Sequence, residues 1–171
     1  MLVEGGPFPG ISRAAVARWA AAMLRKLELT ECELSILLTD DSGVRRLNKR
    51  YREIDRPTDV LSFSQREGEP LAFSKLLGDV VISVPTARRQ AGEQGISVAM
   101  EVARLLAHGL LHLIGLDHDT APKDRRMKAE VDRLCAGLET RGVKVGLPLA
   151  KGKTRARRSG YSRSKSTPRS E

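Results

Sequence analysis

Ser97-Val-Ala-Met-Glu-Val-Ala-Arg-Leu-Leu-Ala-His108-Gly-Leu-Leu-His112-Leu-Ile-Gly115-Leu-Asp-His118 decides how this chain folds. Ser97 has the side chain of a helix N-cap. From there to Ile114, Val98, Val102, Leu105, Leu106, Leu110, Leu111 and Leu113 cover nearly the whole circumference of a helix, as expected of one buried in a core. All three histidines of the chain fall within residues 108–118. His108 and His112, four apart, share one helix face about 6 Å apart. Gly115 tolerates the left-handed conformation that ends helices, so His118 can return to the same point from a loop. Buried imidazoles are costly without partners, and a metal ion supplies one. Three imidazole nitrogens at about 2.0–2.1 Å leave the fourth tetrahedral position of Zn²⁺ open, the mark of a catalytic ion. Core histidines bonded to backbone carbonyls are the alternative, and three together favour the metal.

The spacing reproduces the zinc-protease pattern H-E-x-x-H-x-x-G-x-x-H at every ligand and at the glycine. It departs after the first histidine, where Gly109 replaces the Glu that serves as general base. The metal site is kept and peptide hydrolysis is disfavoured.

Working outward, Ser12 caps a helix that turns Val16, Trp19, Ala20, Met23, Leu24 and Leu27 to one face and Arg13, Arg18, Arg25 and Lys26 to the other. Glu33–Leu38 reads as a strand, followed by a short helix through Val44, Leu47 and Tyr51. Asp59–Phe63 is a further strand, residues 65 to 76 a loop, and Gly78–Val84 a strand covered on both faces. Pro85 opens a helix that Gly92 and Gly95 end. A last helix, Lys123 to Leu138, turns Met127, Val131, Leu134 and Leu138 inward. The expected fold class is α/β (α+β), helices packed on a small sheet.

The chain of 171 residues suits one domain and a tail. We divide it into a domain at 1–145 and a basic tail at 146–171. The net charge is +9, yet residues 151–171 alone carry eight basic side chains against one acid, which leaves +2 for the rest. Such a tail buries little; it reads either as a solvated extension or as an arm that binds RNA phosphates. Cys32 and Cys135 form no C-x-x-C pattern, which argues against a disulfide framework or cysteine zinc site and suggests a reduced, cytoplasmic home. No stretch has the roughly 20 apolar residues of a membrane span, and no export signal is expected.

His108-Gly-Leu-Leu-His-Leu-Ile-Gly-Leu-Asp-His118 resembles the signature H-G-x-L-H-L-x-G-x-D-H of the YbeY family of metal-dependent bacterial endoribonucleases. Leu47-Asn-Lys-Arg-Tyr-Arg52, Arg56-Pro-Thr-Asp-Val-Leu-Ser-Phe63, Gly78-Asp-Val-Val-Ile-Ser83 and Thr86-Ala-Arg-Arg-Gln-Ala91 are similar to further segments of that family. The likeness spans roughly residues 30 to 140; Leu116 stands where relatives often have Tyr. It implies a single compact domain with a mixed sheet and the histidine helix at its centre. It implies His108, His112 and His118 as ligands of one Zn²⁺, with Arg52 and His112 catalytic. The implied role is single-strand-specific trimming of ribosomal RNA precursors, notably the 3′ end of 16S RNA, with ribosome quality control. Implied partners are the small ribosomal subunit and ribosome-associated proteins.

The residues can support phosphodiester hydrolysis. A metal activates water and polarises a phosphoryl oxygen, and Arg52 can clamp the phosphate through its bidentate fork. From the residues alone, however, Arg52 reads as the ion-pair partner of Glu53 or Asp55. Asp117 can orient an imidazole or cap a turn, and Asp79 has the same two readings. Arg88 and Arg89 either line the RNA approach or cover an exposed helix face. With one Trp, two Tyr and three Phe in the chain, phosphate and shape contacts should outweigh base stacking. A zinc protease and a non-catalytic ribosome-assembly factor with a structural metal are the competing readings.

Overall fold

The computed structural model describes residues 1–65, 75–117, 120–140 and 143–144. In chain order its elements are β1 (Leu2–Gly5), α1 (Arg13–Lys26), β2 (Glu33–Thr39), α2 (Asp41–Arg52), β3 (Val60–Ser64), β4 (Leu76–Ser83), α3 (Val84–Gln94), α4 (Val98–Leu113), α5 (Ala121–Cys135), β5 (Glu139–Thr140) and β6 (Val143–Lys144).

The main sheet has the order β1-β2-β4-β3. The first two pairings are parallel and β3 runs antiparallel to β4, so the sheet is mixed. Period-two alternation splits its side chains between two unequal cores. Leu34, Ile36, Leu38, Val80 and Ile82 join α1, α4 and α5 in the larger one. On the opposite face, Val44 of α2 meets Leu61 and Val81, with Leu37, Leu47 and Phe63 packed around them. Thus β4 is covered on both sides, as its consecutive apolar residues predict. Membership of a single α/β domain with the histidine helix in its core is borne out.

The expected caps hold. Ser12 accepts the Ala15 amide at 3.0 Å and Ser97 the Met100 amide at 3.1 Å. Leu106, Leu110 and Leu111 of α4 are essentially inaccessible, each contributing about 1.5–3 kcal/mol by leaving water. Several details differ from expectation. Residues 2–5 form an edge strand, although Glu4 and Gly5 favour none; pairing with Ser35–Leu38 supplies what propensity lacks. Gly92 lies within α3, which ends at Gly95 with φ 67°. The last helix begins at Ala121, where Pro122 suits a first turn, and ends at Cys135. Lys26 ties α1 to that helix's end, its Nζ donating to the carbonyls of Arg133, Leu134 and Ala136 at 3.0, 3.1 and 2.7 Å.

Cys32 and Cys135 are both free thiols, and burial pushes that of Cys135 up to about 11. Among the described residues no single helix is long and apolar enough to cross a membrane. The expected loop falls largely on 66–74, outside the described residues, while Leu76 and Leu77 already belong to β4. The proposed tail at 146–171 also lies outside them.

Glu101 is the buried acid of α4, only 5% exposed. Desolvation raises its pKa, assisted by Asp59 and opposed by Arg104 and a 3.4 Å bond from Gln94 Nε2. A carboxyl whose folded pKa exceeds its unfolded one loses stability as pH rises from the unfolded value towards the folded one. Glu101→Gln should therefore melt at a higher temperature than wild type at pH 8, and the two should converge below about pH 4. Equal Tm at both values would show that the Glu101 charge costs nothing.

Candidate active site

His108 and His112 project from the last two turns of α4, both partly exposed, with Arg104 one turn earlier on the same stripe. Their Nε2 atoms stand 3.1 Å apart and the rings meet edge to face, centroids 4.6 Å apart. One Nε2–H can donate to the other at that separation. It is also close to the roughly 3.3 Å between two nitrogens bound to one tetrahedral ion at about 2.0–2.1 Å. The donor pair therefore fits a zinc-type ion. Gly115 ends the helix as expected, with φ 87°, its amide donating to the His112 carbonyl at 3.0 Å. His118 lies outside the described residues. Among the described residues no three His, Cys, Asp or Glu side chains cluster to hold a metal.

Gly109 faces the sheet. A Cβ there would come within 2.8 Å of Val80 Cγ1 and 3.2 Å of Ser62 Oγ. At about 100° per residue, His108 and His112 lie on one side of that contact, about 100° and 60° around the helix. The lack of a side chain at 109 lets α4 settle against β3 and β4, so the residue has a packing role besides removing a general base.

Arg52 ends α2, where Glu53 takes the left-handed conformation at φ 61°. The turn that follows is held by Asn48, a buried polar side chain whose Nδ2 donates to the Arg56 carbonyl at 2.8 Å. Asn48 sits one turn beyond Val44 on the inward face of α2, and an amide in that position was the available signal for its role. The ion pair expected of Arg52 is not formed. Asp55 is taken by Arg45 Nε at 2.7 Å and Lys49 Nζ at 2.9 Å, whose hydrogen bonds hold its carboxyl down to about 2. Arg52 Nη2 instead reaches the Ser62 carbonyl at 3.4 Å. Asp59 accepts from Ser83 and Gln65 donates to Leu77, so the odd residues of this segment bond to β4 and Ser62 turns its backbone away from β4, to the outer edge. Ser62 thus links the guanidinium on its carbonyl side to the histidine helix on its side-chain side. Sequence reasoning missed it because a strand serine carries no pattern of its own.

Beside Arg52 lies a cavity of about 380 Å³ bounded by Asn48, Ile54, Arg56, Pro57 and Thr58. Arg88 and Arg89 are engaged elsewhere, with the Pro9 carbonyl at 2.9 Å and with Asp41 at 2.9 Å. Asp41 also accepts from Ser83 and Thr86, and these bonds outweigh desolvation to lower its pKa. Asp79 accepts from Gln65 Nε2 at 3.3 Å, and Asp117 is exposed just beyond Gly115.

The family model described as Endoribonuclease YbeY matches residues 10–139, reaching back through α1 beyond the segment that the motifs mark. Endoribonuclease YbeY of Moorella thermoacetica is 50% identical over 118 residues, covering 65% of this chain and 76% of that protein. Its counterpart in Aquifex aeolicus is 45% identical over 122 residues, covering 71% and 80%. A solution structure of a Thermotoga maritima protein covers 78% of this chain and 87% of its own, with a TM-score of 0.53 at 22% identity, a likeness of fold. With a family model spanning most of the chain, and relatives at this identity sharing most of their own length, the chain belongs to the endoribonuclease YbeY family.

Proposed function

We propose that this chain is a single-strand-specific, metal-dependent endoribonuclease of the cytoplasm that trims ribosomal RNA precursors. Its substrate would be the 3′ end of 16S RNA, met on the small ribosomal subunit with ribosome-associated proteins, in maturation and quality control. The observation that carries this reading is the approach of Arg52, without an ion pair among the described residues, to the same strand segment that supports the histidine helix. His108, His112 and His118 would hold one Zn²⁺, which when bound supplies a Lewis acid and an activated water. Arg52 would bind the nonbridging phosphate oxygens, oriented by the Ser62 carbonyl. Gly109 offers no carboxylate to work as a protease base.

The assembly-factor reading needs the metal to hold the fold. Against it, α4 already buries Val102, Leu105, Leu106, Leu110, Leu111 and Leu113 in the larger core. The test uses full-length wild type and His112→Ala. Bound zinc is measured, and each protein is incubated with precursor 16S RNA, free and in small subunits. We expect wild type to carry zinc and cut, and His112→Ala to stay folded while losing both. Zinc-loaded wild type that binds RNA but cuts neither substrate would establish the assembly factor, and digestion of casein would establish the protease.

A further inference from the structure

Tyr51 and Phe63 pack with ring centroids 5.1 Å apart at 60°, yet Tyr51 remains 57% exposed, more than any other large apolar or aromatic side chain among the described residues. Exposed Ile54 follows it, and the Arg50 guanidinium lies 5.3 Å from the Tyr51 ring centre. Arg50, Arg52 and Arg56 make no ion pair among the described residues. Two dipeptides build this corner. Tyr51-Arg52 closes α2, and Ser62-Phe63 lies on β3, where Ser62 holds Arg52 and Phe63 turns to the opposite face against Tyr51.

We propose that Tyr51 and Phe63 form a stacking platform for one unpaired base of the RNA strand whose phosphate Arg52 holds. This rests on the nuclease reading. An RNA strand crossing the outer edge of β3 presents a phosphate to Arg52 and turns the adjoining base onto the α2 side. There the Tyr51 ring, backed by Phe63, meets it, and the Arg50 guanidinium that lies over that ring adds positive charge. Stacking on an aromatic ring suits any base, so the platform selects unpaired RNA without selecting sequence. Scarcity of aromatic residues does not forbid this, since a single placed pair suffices.

Tyr51 could otherwise serve only to cover Phe63 and the small core beneath, and the substitutions separate the two roles. Full-length variants are assayed on a labelled single-stranded oligoribonucleotide, with thermal melting to confirm folding. Tyr51→Ala should raise KM roughly tenfold and leave kcat within about twofold. Tyr51→Phe and Tyr51→Trp should keep the wild-type KM, whereas Tyr51→Leu, apolar but without a π-face, should resemble Tyr51→Ala. If wild type cleaves and Tyr51→Leu restores KM, or Tyr51→Ala leaves it unchanged, the platform is wrong and the nuclease stands. If wild type neither binds nor cleaves RNA, both fall.

Discussion

Gly109→Glu, which would complete the zinc-protease motif, should yield a chain that fails to fold rather than a protease. Its first carbon would press to 2.8 Å from Val80 Cγ1, on a fully buried side chain with little rotamer freedom. Overpacking of this kind costs about 1–3 kcal/mol. A carboxylate left between α4 and the sheet without a partner adds several kcal/mol more. The helix propensity gained by removing a glycine, about 1 kcal/mol at most, does not offset this in a domain of ordinary stability near 5–15 kcal/mol. Gly109→Ala is the control. Its propensity gain opposes the strain, so it should fold with a modestly lower Tm, and Val80→Ala should relieve part of the loss. A soluble Gly109→Glu protein melting like wild type would show that this face is not closed.

Arg52→Ala should leave Tm nearly unchanged and slow RNA cleavage about 10²- to 10³-fold, the loss expected when one preorganised donor to developing charge is removed. The side chain is exposed, and its contact to the Ser62 carbonyl is long at 3.4 Å, so little folding energy is at stake. Arg52→Lys should recover only part of the rate, because an ammonium keeps the charge and loses the fork. Cleavage at the wild-type rate by folded, metal-loaded Arg52→Ala would remove Arg52 from the site.

The legible parts of this fold are those where short-range signals agree. Ser97, the nearly all-round apolar surface after it and Gly115 mark out α4 without outside help, and Ser12 does the same for α1. β1 is illegible because a four-residue strand containing Glu4 and Gly5 owes its existence to partners some thirty residues away. The histidine pair is readable from helical spacing; His118 lies outside the described residues. Arg52 illustrates the limit most clearly. Composition places it next to two acids, and only the fold shows that Arg45 and Lys49 reach Asp55 first. Gly109 carries two messages, and the missing base is the visible one. The contact with Val80 belongs to a strand far away in sequence.

The outer rim of β3, which pairs with no further strand among the described residues, bears on how copies of this protein behave towards one another. An unpaired strand edge is a template for a strand from another molecule, a common start of aggregation. Here the Arg52 guanidinium sits on the outward Ser62 carbonyl, with Arg50 and Arg56 nearby. A second copy approaching edge to edge would bring the same positive charges and be repelled, while a polyanion would be drawn in. The guanidinium that would meet a phosphate thus also sets the charge of the rim that β3 presents to a second copy.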